Sequence, residues 1–176
     1  MKNLLIYKLI ILNVLAVVWL ATSNFQTKWF QNLFFSDTTK INYFTAGLFG
    51  FATLMLLYEA LQINRQVNAH LNGGVFESSG DLWVSDIEWL ERSAGWMLFL
   101  GLIGTLYGLL LSLSAVNTGN LATLEGIKQI AVQMMAGLRI ELSTTIIGAI
   151  FSFWMEVNYA MVLREAKYLA KIEGGK

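Results

Sequence analysis

Two apolar stretches of this chain carry hydroxyl and carboxyl groups at helical spacing. Thr105 and Ser112 stand in the run Gly101-Leu-Ile-Gly-Thr-Leu-Tyr-Gly-Leu-Leu-Leu-Ser112, and Glu141, Thr144, Thr145, Ser152 and Tyr159 follow Gly137 in a second run. Each apolar stretch is long enough to cross a bilayer and gathers its polar atoms on a narrow stripe. Hydrocarbon penalises polar groups that lack partners, so such stripes face other helices or a water-filled path. The pair points to helices packed around a route for something small and polar.

In the first run Gly101, Gly104, Thr105, Gly108 and Ser112 fall three or four residues apart and share a face. Gly104-x-x-x-Gly108 allows another backbone to approach closely. In the second run Glu141, Thr145, Gly148, Ser152 and Tyr159 share a face, with Thr144 beside it. Two readings stand. The stripes pack helices, with each threonine returning its hydroxyl to a backbone carbonyl one turn earlier; or they line a pore, since one water-filled path would use both. Glu141 is the sharpest single residue, because a carboxylate inside a membrane costs about 2.5–3.5 kcal/mol on insertion scales. Arg139 is two residues away and points elsewhere on a helix; alternatively both snorkel at the outer interface. Glu59 and Glu156 read as interfacial, and His70, the single histidine, as solvated surface. With no cysteine and no histidine cluster, no metal site or other cofactor is expected. The sequence shows no nucleophile, base and orienter set and no phosphate loop, so it does not read as an enzyme.

The elements that must position these groups are membrane spans. The chain is 56% hydrophobic and 14% charged, against about 25% charged in soluble domains, and its formal net charge of zero gives no basic surface for nucleic acid. About four transmembrane helices are predicted, over 4–21, 43–61, 96–116 and 130–162, in one membrane domain covering 1–176. Roughly twenty residues cover the ~30 Å hydrocarbon core, so the last run is longer than it need be. It is expected to continue as a helix into the tail from Arg164. The first segment could instead be a signal peptide with a weak site near Ala21-Thr22-Ser23. Ser23 to Asn42, rich in Phe and Trp, suits an interfacial segment, and Ile63 to Gly80 a polar connection with Gly73-Gly74 as a turn. Asp81 to Ala94 reads as an amphipathic helix along the inner surface. With both termini cytoplasmic, Lys2, Lys8, Arg65, Arg92, Arg164, Lys167, Lys171 and Lys176 lie inside and only Lys28, Lys40 and Lys128 outside.

The stretch Asp86-Ile-Glu-Trp-Leu-Glu-Arg-Ser-Ala-Gly-Trp-Met-Leu-Phe-Leu-Gly-Leu-Ile-Gly-Thr-Leu-Tyr-Gly-Leu-Leu resembles a span, with its lead-in, of the MotA/TolQ/ExbB proton channel family. The family core Gly-Leu-Leu/Phe-Gly-Thr-Val-Trp-Gly-Ile is matched by Gly101 to Leu109. Gly137, Thr145, Gly148 and Tyr159 fall on the family's pattern in the last span, so the resemblance covers about 86–159, the channel core. It departs from the family in having Trp96/Met97 and Trp154 where proline is usual. It also has Ile140 where ExbB and TolQ carry a glutamate, Glu141 standing one step later.

The resemblance implies an ExbB/TolQ-like stator channel subunit in the bacterial inner membrane: all-α, with the first two spans on the lipid side and glycine-rich faces packing neighbouring copies into a homopentameric ring. The ring would surround a dimer of a single-span ExbD/TolR/MotB-like partner carrying a membrane Asp, and would turn the proton-motive force into mechanical work. Thr105 and Thr145, with Thr144, Ser112 and Glu141, would line the ion pathway. A non-conducting helical scaffold and a sodium-driven motor of the same class are the alternatives.

Overall fold

A computed structural model describes residues 4–35, 39–71, 80–118 and 123–174. They form five helices: α1 (Leu4–Thr27), α2 (Trp29–Phe35), α3 (Ile41–Leu71), α4 (Gly80–Thr118) and α5 (Leu124–Gly174), with no strand among the described residues. Four of them, all but α2, are long and apolar enough to cross a membrane. The chain is a multi-pass membrane protein.

The helices outrun the apolar segments that predict them. α3 continues through the polar residues up to Leu71, so the first part of the expected Ile63–Gly80 connection is helix; Gly73, Gly74, Ser78 and Ser79 lie outside the described residues, as does the side chain of His70. The expected inner-surface helix is the first half of α4, in one uninterrupted 39-residue helix with the span. α5 runs for 51 residues into the tail, about 76 Å at 1.5 Å per residue. Nothing in these stretches forces an end, because the chain contains no proline.

The Ser23–Asn42 segment forms the end of α1 and the short α2. The break falls at Lys28, in the left-handed region at φ 52°, where its N–H donates to the Asn24 carbonyl at 2.8 Å. Phe30 and Phe34 stack 6.0 Å apart, and Phe34 meets Tyr43 of α3 edge-on at 5.0 Å.

Two kinds of packing hold the long helices. A core of large apolar side chains joins all four: Leu5 and Leu9 of α1, Leu56 and Ile63 of α3, Ile87, Leu90 and Met97 of α4, and Ile147, Phe151, Met155 and Val162 of α5. Phe49 stacks on Phe151 at 4.8 Å, and Phe51 lies 6.3 Å from Trp89, so α3 covers one side of the α4–α5 pair. α1 is tied on by amides. Asn13 and Asn158 exchange hydrogen bonds at 2.9 and 3.2 Å, and Trp154 Nε1 donates to Asn13 Oδ1 at 2.8 Å. The core ends at Met97 and Ile147. Beyond them α4 and α5 continue as an antiparallel hairpin held by glycines and hydroxyls.

Candidate functional site

In this hairpin the two backbones approach too closely for side chains between them. A methyl group on Gly108 would stand 2.7 Å from Glu141 N and Gly137 O, and one on Gly148 would stand 2.8 Å from the Met97 carbonyl. Gly104 leaves the notch that Thr144 fills, and Gly137 the one that takes the Ser112 hydroxyl. Gly101 lies against Gly148 and Thr144. All five glycines of the stripe are thus used inside one chain, between α4 and α5, where the expectation was packing between copies.

The hydroxyls separate into two groups. Thr144 is buried and bonded to the Ile140 and Glu141 carbonyls at 3.0 and 3.2 Å, so the structure places it in helix packing. Ser112, also buried, reaches Gly108 O in its own helix and Met134 O across the hairpin, each at 3.1 Å. Thr105 and Thr145 are only half-buried, and their hydroxyls touch each other. Each also lies within reach of its own helix: Thr105 of Gly101 O at 3.0 Å, Thr145 of Glu141 O at 2.9 Å. A hydroxyl has one proton to donate. Two protons therefore serve three contacts, and the pair can hold them in more than one arrangement.

Glu141 lies one turn from Thr145, half-buried beside Gly108, and its buried Oε2 has no hydrogen-bond partner. Arg139 is exposed and borders a cavity of about 620 Å³ with Ser114 and Gln133. Lys8 and Glu165 form an ion pair at 3.8 Å.

Helix geometry gives the pair its direction. At ~100° per residue, Thr105 is turned ~160° from Trp89, and Thr145 ~120° from Phe151, the residues that α3 covers. The threonine pair thus lies on the hairpin face away from α3. Seven-residue steps along α5 lead from Thr145 to two further stripe residues, Ser152 and Tyr159, both buried, and Tyr159 belongs to the apolar core. Tyr159 donates to Glu91 of α4 at 3.1 Å. Sequence reasoning left Glu91 in a surface helix; its seven-residue steps to Leu98, Thr105 and Ser112 are the signal that could have found it. Among the described residues no three acids, histidines or cysteines gather as metal ligands. Compared with protein-family models, curated proteins and solved structures, the chain finds no match.

Proposed function

We propose that this chain is the channel-forming subunit of a motor in the bacterial inner membrane, driven by the proton-motive force and similar to MotA, TolQ and ExbB. The observation that carries the reading is the contact between the Thr105 and Thr145 hydroxyls, on the face away from α3, with the partnerless carboxylate oxygen of Glu141 one turn off. Copies arranged as a ring, five by family resemblance, would turn that face inward and leave α1 and α3 toward lipid. A hydroxyl pair with more than one proton arrangement suits a hydrated path, in which donors and acceptors exchange as an ion passes. A single-span partner dimer with a membrane Asp would occupy the centre and convert ion passage into movement.

The test is potential-driven proton flux through the complex, purified by way of the full chain and reconstituted in vesicles. Thr105→Val and Thr145→Val keep volume and branching while removing a hydroxyl. Both variants should assemble and lose most of the flux. Wild-type flux from both would leave a non-conducting scaffold, the second reading. That reading draws on the bonds from these hydroxyls to their own backbone and on the use of the glycines inside one chain. Replacing the proton gradient by a sodium gradient separates the sodium-driven variant of the proposal.

A further inference from the structure

The α4–α5 hairpin repeats itself every seven residues. On α4 Glu91, Leu98, Thr105 and Ser112 are turned ~140–180° from Trp89, and on α5 seven-residue steps join Leu138, Thr145, Ser152 and Tyr159. Because the helices are antiparallel, these eight residues fall opposite one another as four rungs. Two rungs are hydrogen-bonded between side chains: Thr105 with Thr145, and Glu91 with Tyr159 at 3.1 Å. The bonded rungs are fourteen residues apart, ~21 Å along the axis and within ~40° of each other around it. Glu91 thus stands on the threonine face, at the far end of α4 from the loop. Its carboxylate is exposed and held in place by a buried tyrosine; Glu88 and Arg92 line a cavity of about 420 Å³ with it.

We infer that Glu91 is the cation-selecting residue at the cytoplasmic mouth of the path. The inference rests on the ring reading above. In a ring that turns the threonine face inward, every copy brings one Glu91 to the same level of the mouth. A ring of carboxylates raises the local concentration of cations and repels anions, and this effect is screened by salt. Tyr159 holds the exposed carboxylate in place by donating its hydroxyl to one of the two Glu91 oxygens, Oε2. The tyrosine acts through Glu91 and is a positioning residue.

Glu91→Gln keeps an acceptor for Tyr159 and removes the charge; Tyr159→Phe keeps the charge and removes the bond. Proton flux is measured in phosphatidylcholine vesicles, which carry no net charge of their own, at ionic strengths of about 0.01 M and about 1 M, where the Debye length is about 30 Å and about 3 Å. Glu91→Gln should lose flux several-fold at the low ionic strength and recover wild-type flux at the high one. Tyr159→Phe keeps the charge but frees its orientation, so it should lose flux at the low ionic strength by less than Glu91→Gln does and match wild type at the high one. Wild-type flux from Glu91→Gln at low salt, with flux still abolished by Thr105→Val, overturns the inference and leaves the channel reading standing. A loss equal at both salts and matched by Tyr159→Phe makes the rung a structural clasp and also overturns it. Wild-type flux from Thr105→Val removes the path, and the inference falls with it.

Discussion

Thr105 and Thr145, 40 residues apart in sequence, meet hydroxyl to hydroxyl at the edge of the α4–α5 contact. One step inward on each helix the chain places Gly104 and Thr144, which interlock and are sealed from solvent. Adjacent positions on the same two helices therefore serve different ends. The buried rung fixes the distance between the backbones, and the half-buried rung presents two hydroxyls at that distance on an open face.

The glycines provide an internally controlled prediction. Gly108→Ala forces its methyl group against backbone atoms of α5 and should destabilise the protein by about 1–3 kcal/mol, the range for overpacking. Gly50 lies on α3 with nothing within 4 Å of where its methyl group would be. Gly50→Ala should be neutral or stabilise by up to about 1 kcal/mol, since alanine is the better helix former. Thermal unfolding in detergent measures both. A Gly108→Ala protein as stable as Gly50→Ala would mean that the helices are farther apart than described here.

The amide clamp on α1 is the subject of a second prediction. Asn13→Leu leaves the Trp154 N–H and the Asn158 amide without partners, at a cost of about 1–2 kcal/mol in an apolar setting. Adding Asn158→Leu removes one of the two orphaned groups and should recover part of the loss, a non-additivity that unfolding of the two single variants and the double variant would reveal. Strict additivity would show that the two amides do not interact.

The four spans were legible because hydrophobicity over twenty residues is a local property, and so were the stripes, because helical spacing is local too. Positions 101, 104, 108, 137 and 148 could be read as a close-packing face without knowing the partner helix. Which helix that face meets depends on the relative placement of two helices, and a periodicity within one of them does not contain it. The same holds for Glu91: seven-residue steps connect it to Thr105, but its pairing with Tyr159 follows from the antiparallel register of α4 and α5. The helix end at Leu71 was missed for a different reason. Polarity there marked the edge of the membrane, and a helix can pass that edge without ending.

The count of basic residues predicts a topology that can be tested cleanly, since the chain has no cysteine of its own. Ser79→Cys and Gly175→Cys should react with an impermeant maleimide only after the membrane is opened, and Thr118→Cys should react in intact cells. Labelling of Ser79→Cys in intact cells would invert the orientation and place Glu91 at the outer mouth.

The threonine contact itself makes the strongest prediction. Suppose the two hydroxyls act as a unit, sharing their protons among Gly101 O, Glu141 O and each other. Removing either one then disables the unit, and Thr105→Val, Thr145→Val and the double variant should lose flux to the same extent. Two hydroxyls acting separately would give losses that multiply in the double variant, because independent effects add in free energy. Stability should distinguish the variants little, since hydrogen bonds between membrane helices average about 0.6 kcal/mol in double-mutant cycles. Glu141→Gln adds the remaining comparison: it keeps the shape beside Gly108 and removes the carboxylate. A loss in Glu141→Gln as deep as that of the threonine variants places the carboxylate in the same unit. Flux that survives in Glu141→Gln but not in Thr105→Val would mean that the threonines serve a carboxylate supplied by the partner.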